Sequence, residues 1–285
     1  MSFLKSTLKR AHLINRTQKS LRDYAHRGIV SAIETHISRR RDYEILVVFG
    51  LRRSGNHLAI GWILDQVDGA SVFFNNIRPN NPPYTGRMTE YRIKRTSSPR
   101  IILSYEDVTV EEMLQPALTS YLEDRIKRHN AKVRFAVILR DPYNLFASRI
   151  KKWPNQFIND AQIATQQAMY IEHAKLAETP APIWKDAPVV PILFNKLLTD
   201  QSERDRTSDA LNIRRGAQGL DRMSVYGHGS SFDGTDRASD AVAQDVFSRW
   251  HKQIGDPTFQ AAIDDPRLGD IAQNLFSMQG PEIKN

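Results

Sequence analysis

Residues 47–57 read VVFGLRRSGNH, an apolar run that ends in a glycine and continues as a polar turn with two arginines. The stretch Glu44–Phe49 (EILVVF) is the continuous apolar kind that is typical of a strand buried in a parallel sheet. Residues 54–67 (SGNHLAIGWILDQV) follow directly and predict a helix. A glycine-bounded turn between a buried strand and a helix N-terminus favours anion binding, because backbone N–H groups converge there.

The turn at residues 50–55 has the outer spacing of an ATP-binding loop but departs from it at the next two positions. Asn56 and His57 stand where such a loop carries a lysine and a hydroxyl residue. Without the lysine the loop lacks a point charge for the terminal phosphates, and without the hydroxyl it lacks a Mg²⁺ ligand. The turn therefore favours a tetrahedral oxyanion bound without a metal by Ser54 and by the forked guanidinium of Arg53.

A second segment, residues 137–148 (VILRDPYNLFAS), also joins a predicted strand to a predicted helix. Asp141 and Pro142 are typical of a helix N-cap followed by proline in the first turn, and they need no further function. Arg140 stands at the carboxyl end of the strand, and Ser148 follows eight residues later. Together these two side chains can hold a second phosphate, although an ion pair of Arg140 with an acid remains the alternative.

Predicted strands and helices alternate along the rest of the chain. Further strands are predicted at Val72–Phe74, Arg100–Ser104, Val133–Leu139 and Val189–Phe194, the last at a sheet edge because it contains Pro191. Helices are predicted at Val110–His129, Tyr143–Lys152, Asp160–Glu178, Ser202–Leu211, Ala238–His251 and Asp270–Met278, and a loop at Asn75–Arg87. The pattern predicts an α/β fold with a mainly parallel central sheet flanked by helices. Ligands of such folds bind beyond the carboxyl ends of the strands.

The composition bounds the compartment and the number of domains. The 285 residues fit one large domain with additions, and no linker-like stretch divides them. The chain has no cysteine, which excludes disulfides and cysteine-ligated zinc and favours a reducing, cytoplasmic compartment. No apolar stretch approaches the length of a membrane span.

Most of the formal net charge of +8 lies at the start of the chain. Residues 1–42 carry ten Lys/Arg and three Asp/Glu, a net charge of +7, on an amphipathic helical pattern. We therefore expect a basic helical element at residues 1–43 and a catalytic domain at 44–285. The near-neutral domain argues against a nucleic-acid binder. The element is interpreted as a helix packed on the domain; peripheral contact with an anionic membrane surface, contact with an acidic acceptor and a transit peptide are the alternatives.

The two arginine-bearing segments together resemble those of the PAPS-dependent sulfotransferases, where PAPS is 3′-phosphoadenosine 5′-phosphosulfate. In that family a turn followed by Lys/Arg-Ser-Gly-Thr-Thr binds the 5′-phosphosulfate, and residues 53–58 read RSGNHL. The family's 3′-phosphate segment has an arginine with a serine eight positions later, as Arg140 and Ser148 stand here. The resemblance implies a P-loop-like sulfotransferase sandwich that transfers a sulfuryl group from PAPS, releases PAP and needs no metal. The changes at Asn56 and His57 replace two hydroxyl donors by nitrogen donors.

The resemblance also implies a set of binding residues. The 5′-phosphosulfate would be bound by Arg52, Arg53, Ser54, Gly55, Asn56 and His57. The 3′-phosphate would be bound by Arg140 and Ser148, joined by Gly229 and Ser230 from a late glycine-rich segment that departs from the family's form.

Family members use a histidine or a glutamate as the base that removes the acceptor's proton. Residues 102–107 read ILSYED, and Glu106 falls where that base is expected. Asp107 and His57 are the competing assignments, and Arg53 is expected to neutralise charge on the leaving phosphate. A glutamate base and a polar loop at Asn75–Arg87 favour a glycan or glycolipid hydroxyl as acceptor. The oligomeric state is not indicated by the sequence.

Two other classes of function remain open at this stage. One is a small-molecule kinase or other P-loop phosphotransferase, which the missing lysine disfavours. The other is a non-catalytic binder of anionic polymers, whose affinity would fall steeply with salt. The excess charge lies outside the two motifs, which disfavours the second alternative.

Overall fold

The computed structural model describes residues 28, 32, 34–37, 39, 43–85, 87–92, 99–217, 220 and 247–281. A six-stranded sheet has the order β3-β2-β4-β1-β5-β6. Its strands are β1 (Glu44–Gly50), β2 (Ser71–Asn75), β3 (Arg87–Arg92), β4 (Arg100–Glu106), β5 (Lys132–Leu139) and β6 (Val189–Leu193). All neighbouring pairs are parallel except β2 with β3. The predicted α/β fold with a mainly parallel sheet is confirmed.

Strand β1 lies between β4 and β5 and is buried along its whole length. Its side chains alternate between two apolar clusters, so that Val47 and Phe49 pack on one face of the sheet and Leu46 and Val48 on the other. Helices cover both faces, which explains why β1 is apolar at every position from Ile45 to Phe49 rather than at every second one. Pro191 lies in the middle of β6, which is an edge strand of the sheet, as predicted.

Helices follow most of the strands. They are α1 (Asn56–Gln66), α2 (Val110–Met113), α3 (Pro116–His129), α4 (Pro142–Lys152), α5 (Asp160–Glu178), α6 (Phe194–Thr199), α7 (Gln201–Leu211), α8 (Pro257–Ile263) and α9 (Pro266–Phe276). Short 3₁₀ helices lie at Pro83–Thr85, Pro154–Gln156 and Arg249–Gln253. Asp141 caps α4 by accepting a hydrogen bond from the backbone N–H of Asn144, which confirms the predicted cap.

Several predicted elements were wrong in extent. The helix predicted at Val110–His129 is divided into α2 and α3, because Pro116 lacks an N–H group and starts a new helix. The loop predicted at Asn75–Arg87 contains a 3₁₀ turn and leads into β3, an antiparallel edge strand that was not predicted. Of the helix predicted at Ala238–His251, residues 238–246 lie outside the described residues, and its end belongs to a 3₁₀ helix.

The described residues near the amino terminus contact the sheet domain. Residues 34–37 are helical, and Ile37 is fully buried in the core cluster. The Glu34 carboxylate accepts hydrogen bonds from the hydroxyl of Tyr121 at 2.9 Å and from Arg125 at 2.8 Å, both on α3. This part of the basic element therefore packs on the domain. The boundary predicted between residues 43 and 44 remains a prediction, and residues 1–27 lie outside the described residues.

Within the described part of the chain, no helix has both the length and the apolar character needed to cross a bilayer.

Burial of His173 predicts a pH-dependent stability. The imidazole on α5 is fully buried, contacts the ring of Phe49 edge-on and lies 3.0 Å from the carbonyl oxygen of Val108. Burial lowers its pKa to about 4, against smaller opposing effects of that carbonyl and of Asp107. The unfolded chain, with a histidine pKa of about 6.5, therefore binds more protons between pH 6.5 and 4. The free energy of unfolding should fall as the pH falls through this window.

The expected loss from this one group is about 3 kcal/mol, on the order of 1.4 kcal/mol for each pKa unit. Urea titrations at pH 7 and pH 4.5 measure it. His173→Gln keeps a side-chain N–H donor but does not titrate, so its stability should depend less on pH. His36→Gln, a change of an exposed histidine, should retain the wild-type dependence. An equal loss in His173→Gln and wild type would contradict the assignment.

Candidate functional site

The turn between β1 and α1 has a backbone that few residues tolerate. Arg53 has φ 78° and Gly55 has φ 89°, both in the left-handed region. The N–H of Ser54 donates to the carbonyl of Leu51 at 3.1 Å, which closes the turn. Gly55 then forms the N-cap of α1 and has no side chain to cap it. The first N–H groups of α1 are therefore oriented for an external acceptor, which is the arrangement of an anion site.

The position of Gly55 also excludes a side chain. A Cβ atom at this residue would lie 2.1 Å from ring carbons of Phe194, far inside van der Waals contact. Gly55→Ala is therefore expected to displace the turn and to weaken nucleotide binding at least about tenfold, because it adds a steric clash to left-handed strain. Isothermal titration with PAP, the nucleotide that the sequence resemblance implies, measures the effect.

Gly61→Ala is the matched control for this change. Gly61 lies in α1, and a Cβ atom there meets open space, so alanine should keep PAP affinity and stabilise the helix by up to about 1 kcal/mol. The double change Gly55→Ala/Phe194→Ala removes the ring and should recover only part of the loss, because the left-handed strain remains. Unchanged PAP affinity in Gly55→Ala would contradict this description of the turn.

The two arginine-bearing segments meet in space. The Nε of Arg53 donates to the hydroxyl of Ser148 at 3.0 Å, across 95 residues of sequence. An Nη1 hydrogen bond of 3.4 Å connects Arg140 to the carbonyl oxygen of Arg53. Arg140 and Ser148 are buried, and Arg53 is half-buried. The strand ends of β1 and β5 therefore bring the two guanidinium groups to one side of the sheet.

Arg140 is held by several contacts around it. Its carbonyl oxygen accepts a hydrogen bond from the hydroxyl of Tyr170 at 2.9 Å, and its guanidinium lies 5.7 Å from the ring centre of Phe194. The adjacent Asp141 is paired with Asn195, whose side-chain nitrogen donates to it at 2.8 Å. Asp141 is thus occupied with structural contacts, which explains its place beside the site without a catalytic role.

A third arginine, Arg249, contributes to the same cluster. It is buried at the start of the last 3₁₀ helix. Burial and then the positive charge of Arg249 lower the pKa of Arg53. Burial also lowers the pKa of Arg140 to about 9, with further lowering by Arg249 and Arg53 and an opposing effect of Asp141. Three neighbouring cations repel one another, and a bound dianion would relieve that repulsion.

The sequence alone did not reveal Arg249. No motif surrounds it, and it lies more than 100 residues after Ser148. Gly229 and Ser230, which were predicted to bind the 3′-phosphate, lie outside the described residues.

The hydroxyl of Ser54 is placed where it can donate to an oxyanion at the turn. Its oxygen is buried and has no hydrogen-bond partner among the described residues. A buried hydroxyl without a partner costs free energy, so such atoms usually mark a bound water or ligand. Together with the N-terminus of α1, Ser54 fits an oxyanion at the turn.

Glu106 ends β4 beside this turn, directly opposite Gly50 in the sheet register. One carboxylate oxygen accepts a hydrogen bond from the side-chain nitrogen of Asn56 at 2.9 Å, and the other lies 3.5 Å from Nε of Arg52. Asn56 also donates to the carbonyl of Leu51 at 3.2 Å. Asn56 therefore connects the turn to the carboxylate, rather than pointing at a nucleotide.

The two competing assignments for the base have different surroundings. Asp107 has φ 55°, and one of its oxygens accepts from both the backbone N–H of Arg52 and the guanidinium of Arg149. This oxygen is occupied within the protein. The ring of His57 lies 3.5 Å from the side-chain nitrogen of Asn75 and faces the ring of Phe73 edge-on. The second oxygen of Asp107 lies 3.7 Å from Nε of Arg52, the same nitrogen that Glu106 faces at 3.5 Å, so Glu106 differs from Asp107 in its hydrogen bond to Asn56 of α1.

Arg52 lies on the Glu106 side, not with Arg53. Its Nη2 donates to the side-chain oxygen of Asn76 at 3.0 Å. The structure thus brings together Arg53, Arg140 and Ser148 of the predicted binding set, and separates Arg52 from them.

Among the described residues, no group of three His, Cys, Asp or Glu side chains is placed to hold a metal ion.

No protein-family model matches the sequence, and no curated protein matches it. Comparison with solved structures finds similarity to mouse sulfotransferase SULT7A1 complexed with PAP, at 10% identity and a TM-score of 0.37, over 86% of this chain and 93% of that chain. It also finds similarity to the sulfotransferase domain from the curacin biosynthetic pathway, at 12% identity and a TM-score of 0.39, over 85% of this chain and all of that chain (100%). Both similarities are distant, so the function proposed below rests on the residues of the site.

Proposed function

We propose that this chain is a PAPS-dependent sulfotransferase that transfers a sulfuryl group to a hydroxyl of a glycan or glycolipid. The observation that carries the proposal is the 3.0 Å hydrogen bond from Arg53 to Ser148. It joins two motifs that are far apart in sequence and makes them one cationic site with Arg140. A nucleotide with a charged group at each end of its ribose fits such a pair of neighbouring anion sites.

The turn after β1 is assigned to the 5′-phosphosulfate. Ser54 offers its unpartnered hydroxyl, α1 offers its first N–H groups, and Arg53 offers its guanidinium. These donors would stabilise the negative charge that develops on the leaving phosphate during sulfuryl transfer. Asn56 donates its side-chain N–H groups within the protein, so its backbone N–H is the group assigned to the ligand.

The arginines behind the turn are assigned to the 3′-phosphate. Arg140 and Arg249 are buried, and a buried guanidinium interacts strongly with phosphate because little water screens the charges. Ser148 completes this side through its hydroxyl. This second anion site is what separates the proposal from ATP-dependent transfer, since ATP has no 3′-phosphate.

Glu106 is assigned as the base that removes the proton of the acceptor hydroxyl. It lies at the carboxyl end of β4, within hydrogen-bond distance of Asn56 in α1. This places its carboxylate next to the turn that would hold the transferring group. The proton moves from the acceptor oxygen to the Glu106 carboxylate as that oxygen bonds to sulfur, while the bond from sulfur to the 5′-phosphate oxygen breaks and PAP leaves with its electron pair.

The polar surroundings of Glu106 support a hydroxyl-rich acceptor. Arg52 and Asn76 are joined by a hydrogen bond, and Asn75 lies beside His57. Amides, imidazole and guanidinium can donate to or accept from sugar hydroxyls, whereas an apolar acceptor would cover these polar groups without hydrogen-bonding to them. These residues favour a glycan or the head group of a glycolipid over an apolar alcohol or phenol.

Incubation with ³⁵S-labelled PAPS and a panel of glycans, glycolipids and phenols tests the function. The label should pass to a glycan or glycolipid and should do so with EDTA present. In thermal-shift measurements PAP should stabilise the protein, by about 2.7 kcal/mol at a concentration 100 times its dissociation constant. ATP with Mg²⁺ should give a smaller shift, because it leaves Arg140 and Arg249 without a phosphate.

The same measurements separate the alternatives. A larger shift with ATP and Mg²⁺ than with PAP would indicate a phosphotransferase. Binding to sulfated or phosphorylated polymers with a steep salt dependence and no response to PAP would indicate a polymer binder. Either result would overturn the proposal.

A further inference from the structure

Arg149 follows Ser148 on α4, and its side chain is fully buried. A guanidinium keeps its charge inside a protein, so its N–H groups need acceptors there. The Nη1 donates to the carbonyl of Arg52 at 3.0 Å and to Asp107 at 2.5 Å. The Nη2 donates to Gln166 at 2.5 Å. Both terminal nitrogens are therefore directed at protein oxygens, which distinguishes Arg149 from an arginine whose terminal nitrogens are directed at a ligand site.

Asp107 extends this connection to the turn and to the sheet. The same carboxylate oxygen accepts from the N–H of Arg52 at 2.9 Å. The N–H of Asp107 donates to the carbonyl of Gly50 at 3.2 Å. Asp107 adopts a left-handed backbone, with φ 55°, which costs about 1 kcal/mol or more unless the surroundings enforce it. Its hydrogen bonds to the carbonyl of Gly50 and to the N–H of Arg52 hold the backbone in that conformation.

These hydrogen bonds fix Arg52 from two directions. Arg149 donates to the carbonyl oxygen of Arg52, and Asp107 accepts from the N–H of Arg52, so the backbone of residue 52 has little freedom to rotate. Residue 53 follows directly and must keep φ 78° to place its guanidinium at Ser148. Residue 106 precedes Asp107 directly, so the same contacts also fix the end of β4 that carries Glu106.

We propose that Arg149 and Asp107 form a buried strut that holds the turn at residues 51–55 in the conformation that binds the 5′-phosphosulfate. The inference rests on the proposed function of this site. Arg149 and Asp107 are positioning residues: they act through the backbone of Arg52 and touch neither the nucleotide nor the acceptor. The 3′-phosphate residues Arg140 and Arg249 lie directly after β5 and at the start of the last 3₁₀ helix, outside this strut.

The strut predicts a selective defect in nucleotide binding. Arg149→Gln removes the positive charge and weakens the hydrogen bonding to Arg52 and Asp107. Asp107→Asn replaces the carboxylate by a neutral amide, whose oxygen accepts more weakly from Arg52 and Arg149. Each change should weaken binding of PAP at least about tenfold, whereas adenosine 3′-phosphate, which lacks the 5′-phosphate, should be weakened less than about twofold. Isothermal titration with the two nucleotides measures the ratio of their affinities.

Arg100→Gln is the matched control. Arg100 is also a buried arginine, paired with Glu44 at 2.8 Å, but it lies at the amino end of β4, far from the strand ends that form the site. It should lower stability without changing the ratio of the two affinities. The double change Arg149→Gln/Asp107→Asn should cost little more than the larger single change, since both belong to one strut.

The outcomes are distinguishable from failure of the proposed function. Wild-type protein that binds neither nucleotide would overturn both proposals. Wild-type protein that binds both, with variants whose ratio of affinities is unchanged, would overturn the strut alone. If Arg149→Gln does not fold, Asp107→Asn alone tests the strut. The side chain of Asp107 is partly exposed, so this change should lower stability less than the change of the buried Arg149.

Discussion

Replacing Glu106 by glutamine is expected to reduce kcat for sulfuryl transfer about 100-fold to 10,000-fold, the range for a missing general base. Glutamine keeps the shape of the side chain and can still accept a hydrogen bond from Asn56, but it cannot take a proton. PAP affinity should stay within about twofold, because the carboxylate is assigned to the acceptor rather than to the nucleotide. Rates with ³⁵S-labelled PAPS and the preferred acceptor, together with PAP titrations, measure both quantities.

Glu111→Gln is the control for this change. It removes an exposed carboxylate on α2, five positions along the chain, and should leave kcat unchanged. If Glu106→Gln keeps kcat within about threefold, Glu106 is not the base, because the loss of a general base lowers the rate far more. His57 would then be the first residue to change, since it is a competing assignment for the base and follows Asn56 in the first turn of α1.

Replacing Arg53 by methionine is expected to lower kcat/KM about 100-fold to 1,000-fold, comparable to removing one donor from an oxyanion site. The change keeps a long side chain but removes the hydrogen bond to Ser148 and the positive charge assigned to the leaving phosphate. Lysine at the same position should recover part of the rate, since it restores the charge but not the planar fork. Kinetics with ³⁵S-labelled PAPS measure the three proteins.

Arg128→Met is the control for the loss of an arginine. Arg128 is exposed on α3 and pairs with Asp124 on the same helix, so its removal should change neither the rate nor PAP binding. If Arg53→Met keeps kcat/KM within about threefold, far less than the loss of an oxyanion donor costs, the turn is not the donor site.

The fold was predictable because β1 is apolar at five consecutive positions, Ile45 to Phe49. Such a run is compatible with burial on both faces, and alternation with helices then favours a parallel sheet. The edge strand β3 was missed because its sequence, RMTEYR, is mostly polar and follows a loop rich in turn-forming residues, and an edge strand needs little apolar sequence. Pro116 is itself a signal for a helix break, but the helical periodicity on both sides of it suggested one helix.

The site was predictable only as far as its residues lie in motifs. Arg53, Arg140 and Ser148 follow strand ends, and parallel strands bring those ends together. Arg249 and Arg149 have no such local signal: one comes from a distant 3₁₀ helix, and the other is a helical arginine whose burial depends on Asp107. The direction of Arg52 was likewise set by tertiary contacts with Glu106 and Asn76, which no spacing in the sequence specifies.

A crystal structure with PAP tests the central claim most directly, namely that the two arginine-bearing turns bind opposite ends of one nucleotide. The account predicts the 5′-phosphate at the turn, within hydrogen-bond distance of Arg53 and of the Ser54 hydroxyl. It predicts the 3′-phosphate at Arg140, Ser148 and Arg249. A nucleotide bound elsewhere, or one whose 3′-phosphate projects into solvent away from Arg140, would contradict it.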